Sequence, residues 1–200
     1  MAIEIPPPAR KVIAAVQRRF EPLDLKASWV RPENVHLTLK FLGNIHPDRV
    51  PEIGRVLSEV AGEIQPFPLA LSGVGLFPKK GNPRVLWVGV RDPGRCLDRL
   101  HRRVESGLQS LGFERENRPF SPHLTVARIK SPKNARELRG QVEAGPELPH
   151  AEFEVGRMAL FQSELTPAGS RYSILKEIPL DLDGPETSSN SKKEGEDNGR

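Results

Sequence analysis

Cysteine is almost absent from this sequence of 200 residues, in which Cys96 is the single example. One cysteine excludes an intramolecular disulfide and a zinc site built from several cysteines. No run approaches the roughly 20 apolar residues that cross a bilayer, and the first residues lack the basic and apolar regions of a secretory signal. We therefore expect a cytoplasmic protein that makes no contact with a membrane.

Apolar residues are missing from residues 183–200, where acidic residues outnumber basic ones by five to three. A segment with nothing to bury predicts a disordered polar tail. Residues 1–182 predict one folded domain, and they are more basic than the net charge of +4 for the whole chain indicates. A basic body suits a polyanionic partner such as nucleic acid, although many proteins of this charge bind none.

The apolar pattern of residues 1–182 predicts an α+β fold. Apolar residues recur at intervals of three and four in four segments, which predicts helices at 12–20, 50–64, 97–111 and 133–143. Segments between them have the composition of strands, and several alternate apolar and polar residues as half-buried antiparallel strands do. These segments are 29–30, 35–42, 67–77, 85–90, 123–129, 153–161 and 172–175.

A short motif occurs twice, because residues 36–39 and 123–126 both read His-Leu-Thr followed by an aliphatic residue. Random placement of the five histidines and four threonines would give roughly 0.1 His-x-Thr triplets. Each half of the chain also has the order helix, motif strand, helix, long strand. This repeat predicts two pseudo-symmetric lobes of antiparallel sheet with flanking helices, each supplying one motif strand to a central cleft.

The motif places two polar groups on one face of a strand. Residues i and i+2 of a strand point the same way, about 6.5–7 Å apart, so the histidine and threonine share one face while the aliphatic residues pack into a core. Hydrolysis of a cyclic phosphodiester needs one group that accepts a proton from water and another that donates one to the leaving oxygen. Two imidazoles can serve, because histidine titrates near neutral pH, and hydroxyl groups can donate to the phosphate oxygens.

With these motifs, the chain resembles the two-histidine (2H) phosphoesterase superfamily and, within it, the RNA 2′,3′-cyclic phosphodiesterases, which are similar to 2′-5′ RNA ligases. The resemblance spans nearly all of residues 1–180. The matching segments are 29–43, 73–78, 83–90, 120–128, 161–165 and 171–172.

The resemblance implies a two-lobed fold and the opening of RNA 2′,3′-cyclic phosphate ends to a 2′-phosphate. It implies that His36 is the proton donor and His123 the proton acceptor, with Thr38 and Thr125 on the phosphate. Related members also join RNA ends in reverse through a 2′-5′ linkage. We expect a monomer that needs no metal and no cofactor.

Arg128 follows the second motif and is a candidate for binding the phosphate. Strict alternation places it on the face opposite His123, so it needs a bulge or a strand end to reach the site. Lys40 comes four residues after His36, which places it on the same face of the predicted strand. There it either attracts RNA or is solvated. Core packing is the better interpretation of Phe41 and of both tryptophans, whereas Tyr172 is a candidate for stacking on a base.

Other interpretations remain open. The same two histidines would serve a phosphodiesterase on small cyclic nucleotides or 2′-5′ oligonucleotides. A non-catalytic nucleotide or RNA binder is the alternative from another class, but it has no need of two proton carriers. The remaining histidines are assigned to the surface: His46 to a turn, His101 to a solvated helix position and His150 to a loop.

Overall fold

The structure is a computed structural model and describes residues 1–131, 133–166 and 169–181. Within these residues it contains four α-helices: α1 (Pro7–Phe20), α2 (Val50–Ala61), α3 (Cys96–Gln109) and α4 (Ala135–Glu143). The strands are β1 (Ala2–Glu4), β2 (Ala27–Trp29), β3 (His36–Thr38), β4 (Phe67–Phe77), β5 (Val85–Arg91), β6 (His123–Ile129), β7 (Glu152–Val155), β8 (Arg157–Thr166) and β9 (Gly169–Pro179). The predicted tail, residues 183–200, lies outside the described residues.

The helices and strands confirm the α+β class and most of the predicted segments. Two predictions were wrong: the strand expected at 35–42 is only the short β3, and the strand expected at 153–161 is two strands, β7 and β8, separated at Gly156. The division has a topological cause, since β7 pairs with β4 while β8 pairs with β1 and β9. At this glycine the chain therefore passes from one end of the strand order, where β7 lies, to the strand next to the other end, β8.

The described strands form a single antiparallel sheet in the order β7-β4-β5-β6-β3-β1-β8-β9, with β2 also paired to β6. The two motif strands, β3 and β6, are neighbours at its centre, and each is the innermost of four strands. The expectation of two pseudo-symmetric lobes that share a cleft is thereby confirmed. The lobes are not the halves of the sequence, however, because β8 and β9 complete the lobe of β3, while β4 and β5 complete the lobe of β6.

Helices cover the face of the sheet that carries the motif leucines. Helix α1 begins at Pro7, which is pre-organised for a first turn, and packs its apolar face against β6. The Gln17 amide on this helix donates to the carbonyls of Val30 and Val126. Helices α2 and α3 pack on each other, and α2 also contacts β9. The opposite face of the central strands is left for the cleft.

Candidate active site

The pairing of β3 with β6 brings the two motifs together. Leu37 lies opposite Leu124, and both leucine side chains are fully buried in the core. Their burial turns the histidine and threonine of each motif to the cleft face, where all four are half-buried. The predicted division of each motif into a core face and a cleft face is confirmed.

The strand register sets the arrangement of the four polar side chains. When the Leu37–Leu124 pairing is carried one residue in each direction, His36 lies across from Thr125 and Thr38 across from His123. Each histidine therefore neighbours the threonine of the other motif. Cβ atoms directly across two antiparallel strands are about 4.5–5.5 Å apart and diagonal ones about 7–8 Å apart. The two histidines therefore occupy diagonal corners of this arrangement.

Each imidazole is held by a backbone carbonyl two residues before it. His36 Nδ1 lies 2.9 Å from the carbonyl oxygen of Asn34, and His123 Nδ1 lies 2.7 Å from that of Ser121. A carbonyl oxygen only accepts, so Nδ1 carries the hydrogen and donates in both rings. This contact fixes the tautomer and leaves Nε2 of each histidine available for proton transfer.

Aromatic rings from its own lobe surround each histidine. His36 stacks on Phe161 at 5.8 Å between ring centroids and meets the edge of Tyr172 at 4.8 Å. His123 makes an edge contact with Phe77 at 5.0 Å and lies 6.4 Å from Trp87. These contacts limit the rotation of both imidazoles. Trp29 is half-buried and packs against the core as expected, whereas Trp87 is a half-buried residue that contacts Phe77 beside His123.

An open cavity of about 690 Å³ lies over the central strands. It brings together four of the five predicted site residues, His36, Thr38, Thr125 and Arg128. The fifth, His123, is not part of the cavity wall and lies beside Thr125 on the same face of β6. Among the described residues that line the cavity are three arginines and no carboxylate, so it is suited to an anion. The other lining residues are Ser28, Trp29, Val30, Arg31, Asn34, Val35, Phe41, Ser170, Arg171 and Tyr172.

Arg128 reaches the cavity because β6 contains a bulge. Leu86 pairs with Ala127, but the next residue of β5, Trp87, pairs with Thr125, so Val126 has no counterpart. Val126 and Ala127 are consequently both buried, and the alternation of faces shifts by one residue. The bulge that Arg128 required is present, and its guanidinium lies on the same side as Thr125.

Burial and nearby positive charge lower the pKa of His36 in the absence of substrate. Removal from water is the main cause of a lowered His36 pKa, and the positive charges of the Met1 amino group and, to a smaller extent, of Arg128 act in the same direction. The carbonyl of Asn34 opposes these effects by stabilising the N–H donor. The neutral form of His36 is therefore favoured in the empty site, and a bound anion would favour the charged form.

Several assignments from sequence are corrected by the packing. Phe41 is not a core residue, since 71% of it is exposed at the cavity mouth. Lys40 neither attracts RNA nor is solvated, because it is buried in an ion pair with Glu105. The side chain of His101 is 12% exposed and stacks on Phe120 rather than facing solvent.

Two arginines of the cavity wall, Arg31 and Arg171, did not emerge as site residues from the sequence. Both lie in segments that carry the family resemblance, and this is the signal that points to them. Tyr172, a candidate for contact with a base, does line the cavity. His46 lies at a turn as expected, where its side chain accepts a hydrogen bond from the Asp48 backbone.

Neither a metal centre nor a membrane span is found in the part of the chain that the structure describes. No three or more histidine, cysteine, aspartate or glutamate side chains in residues 1–131, 133–166 and 169–181 are grouped to hold a metal ion. No helix within the same residues is long and apolar enough to cross a bilayer.

The sequence of this chain is similar to those of known phosphoesterases. The family described as LigT-like phosphoesterase matches the chain twice, over residues 3–87 and 88–172. A protein of Methanocaldococcus jannaschii named RNA 2′,3′-cyclic phosphodiesterase is 33% identical over 177 residues, which are 88% of this chain and 97% of that protein. A protein of the same name from Archaeoglobus fulgidus is 43% identical over 147 residues, 74% of this chain and 80% of that protein.

Solved structures also match most of this chain. The crystal structure of TT0787 of Thermus thermophilus has a TM-score of 0.74 at 29% identity, covering 90% of this chain and 96% of that one. The apo form of Escherichia coli LigT has a TM-score of 0.65 at 29% identity, covering 90% and 94%. The two family matches divide the chain at residue 88, so each contains one of the repeated motifs. The chain belongs to the LigT-like phosphoesterase family of the 2H phosphoesterase superfamily.

Proposed function

We propose that this protein hydrolyses RNA 2′,3′-cyclic phosphate ends to 2′-phosphates. The observation that carries the proposal is the square of two histidines and two threonines, set by the Leu37–Leu124 pairing beside an arginine-lined cavity. The relatives of this chain named RNA 2′,3′-cyclic phosphodiesterase support the same substrate class.

The reaction needs one water molecule and two proton transfers. The water oxygen forms a bond to phosphorus as the bond from phosphorus to the ribose 3′ oxygen breaks. One imidazole accepts the proton of the water while the other donates a proton to the 3′ oxygen, which leaves as a hydroxyl group. Attack and departure occur on opposite sides of phosphorus. Histidines at diagonal corners of the site are suited to this in-line geometry.

We assign proton donation to His36 and proton acceptance to His123. Phosphate binding falls to Thr38, Thr125 and Arg128, which are able to donate hydrogen bonds to the non-bridging oxygens. The lowered His36 pKa is compatible with a donor role, because the negative charge of a bound phosphate raises the pKa of a neighbouring imidazole. Substrate binding would thus load His36 with the proton that it later donates.

The proposal also includes the working state of the protein. We place the activity in residues 1–182 acting as a monomer, with residues 183–200 as a dispensable polar tail. No step above requires a metal or a cofactor, since the histidines move the protons and Arg128 balances the phosphate charge. A single cysteine suits a reducing compartment, and we place the protein in the cytoplasm.

A product analysis tests the proposal. Purified protein is incubated with oligonucleotides that end in a 2′,3′-cyclic phosphate, with cyclic mononucleotides and with a 2′-5′ dinucleotide, in water enriched in ¹⁸O. We expect a 2′-phosphate that contains one ¹⁸O atom. A 3′-phosphate product would show that the other ester bond breaks, and binding without turnover would identify a non-catalytic module. Turnover of the 2′-5′ dinucleotide alone would assign the site to that smaller substrate.

A further inference from the structure

The cleft has more positive charge than one cyclic phosphate requires. A 2′,3′-cyclic phosphate has a single negative charge, and Arg128 beside His36 is sufficient to balance it. Arg31 and Arg171 also line the cavity, and no carboxylate is among its described lining residues. This excess is suited to a ligand with several phosphates.

Further cations continue from the cavity along β6. After the bulge, the cleft-face position of this strand is Arg128, and Lys130 follows two residues on, just past the end of β6. On the neighbouring strand β2, Ser28 pairs with Arg128. The same register brings Lys26 opposite Lys130, and the Lys130 amide donates to the Lys26 carbonyl at 2.8 Å. The cleft face of β6 thus leads from Thr125 past Arg128 to a pair of lysines that adjoin the ends of β6 and β2.

These cations are available to a ligand. Arg128, Lys130 and Lys26 are all exposed, and none makes an ion pair with another residue in the described part of the chain. A carboxylate does neutralise a lysine close by, since Lys133 contacts Asp24 at 2.6 Å. The cations along β6 are therefore not neutralised by a carboxylate, whereas the nearby Lys133 is.

We propose that Lys26 and Lys130, the lysine track, bind the phosphates of the RNA strand that precedes the reacting end. The inference rests on the proposed function and specifies its substrate class: a single-stranded oligonucleotide in preference to a cyclic mononucleotide. Positions two apart on an extended chain are about 6.5–7 Å apart, so Arg128 and Lys130 supply successive contacts, and Thr125 adds another across the bulge. Backbone contacts of this type are independent of base sequence and weaken with salt.

The experiment compares two substrates with the same terminal nucleoside. One is a 2′,3′-cyclic mononucleotide, and the other is a single strand of about ten nucleotides that ends in the same cyclic phosphate. The Lys26→Ala/Lys130→Ala variant should lower the ratio of kcat/KM for the oligonucleotide to that for the mononucleotide by about tenfold at low ionic strength. The loss should lie in KM, because neither lysine touches the reacting atoms.

Salt dependence provides a second readout. The slope of log KM against log salt concentration for the oligonucleotide should fall by about 0.7 for each lost lysine–phosphate contact. Lys11→Ala is the matched control, since Lys11 is an exposed lysine of α1 that lines neither the cavity nor the track. It removes one positive charge where the double variant removes two, and it should leave both the ratio and the slope unchanged.

The outcomes separate the track from the proposed function. If wild type opens both substrates and the double variant keeps the wild-type ratio and slope, the track is rejected while the cyclic phosphodiesterase stands. If wild type opens neither substrate, the proposed function fails, and binding of the same oligonucleotide by fluorescence anisotropy still tests the track. Loss of affinity in the double variant but not in Lys11→Ala supports it, and equal affinities reject it.

Discussion

Lys40 and Glu105 form an ion pair that is almost completely removed from water. The Lys40 ammonium contacts both Glu105 oxygens, at 2.8 and 2.9 Å, and donates to the Glu114 carbonyl at 2.7 Å. Glu105 in turn accepts from the Glu116 backbone at 3.2 Å. Lys40 comes two residues after the first motif threonine, and residues 114–116 precede the second motif. The pair therefore joins the segments that follow β3 and precede β6.

Breaking this pair should be costly to the fold. Lys40→Met leaves the Glu105 carboxylate buried without the lysine charge that balances it, which should lower the free energy of unfolding by about 3–5 kcal/mol. Lys40→Met/Glu105→Leu should recover most of the loss, because no charge then stays buried. Urea denaturation measures both variants. Arg102→Met, which breaks an exposed ion pair with Asp98, is the control and should cost less than about 1 kcal/mol. Equal effects of Lys40→Met and Arg102→Met would contradict this account.

The two histidines should act as one unit. Replacing either His36 or His123 by alanine should slow turnover of a cyclic phosphate substrate by a factor of about 10² to 10⁴. The double variant should be little slower than the slower single variant, because removing one proton carrier already disables the concerted step. Steady-state kinetics checks this, with His150→Ala as control, since His150 is exposed and outside the cleft. Near wild-type rates in both single variants would end the catalytic interpretation.

The donor and acceptor roles can be separated with an activated substrate. In a 4-nitrophenyl phosphodiester, the leaving group departs without receiving a proton. His36→Ala should therefore regain much of its lost rate on this substrate, whereas His123→Ala should not, since water still needs a base. Comparing kcat/KM on the activated and cyclic substrates measures the recovery. Recovery by His123→Ala instead would reverse the two roles.

The pKa of His36 should lie below its ordinary value of 6.5 in the free protein. Arg128→Ala should raise this pKa, because it removes a positive charge that opposes protonation. Inorganic phosphate should also raise it, through its negative charge. NMR titration of the His36 ring provides the measurement, with Arg99→Ala, an exposed arginine of α3, as the charge-matched control. A His36 pKa at or above 6.5, or one indifferent to Arg128, would contradict the electrostatic argument.

The lowered His36 pKa should also affect how kcat/KM depends on pH. A donor must be protonated, so the limb of the kcat/KM profile that falls with rising pH reports His36, and it should begin below pH 6.5. In Arg128→Ala this limb should move to higher pH while the overall rate drops. Movement of the opposite limb would assign the acceptor role to His36.

Removal of divalent ions should leave the reaction unchanged. The proposed mechanism moves both protons through imidazoles, and the described residues contain no cluster of ligands for a metal ion. Rates measured with and without excess chelator should agree, and added magnesium or manganese should not increase them. Activity that is lost with chelator and restored by one of these ions would reject the two-histidine mechanism.

Much of the site could be predicted from the sequence because it depends on local periodicity. A strand alternates its faces whatever surrounds it, so a histidine and a threonine two residues apart must share a side. The leucine between them specifies which side, since its burial orients the strand. Arg128 shows the limit of this reasoning. Alternation identified the need for a bulge, but the bulge at Val126 depends on how β5 pairs with β6.

The sequence by itself determined the class, most of the segments and the two motif faces, since each follows from the spacing of residues near one another in the chain. Only the tertiary structure decided which strands share a lobe, that Lys40 is buried and that Phe41 is exposed. The physical reason is that each outcome depends on residues distant in sequence. Lys40 is buried because Glu105, 65 residues away, compensates its charge, and no local pattern encodes that partner.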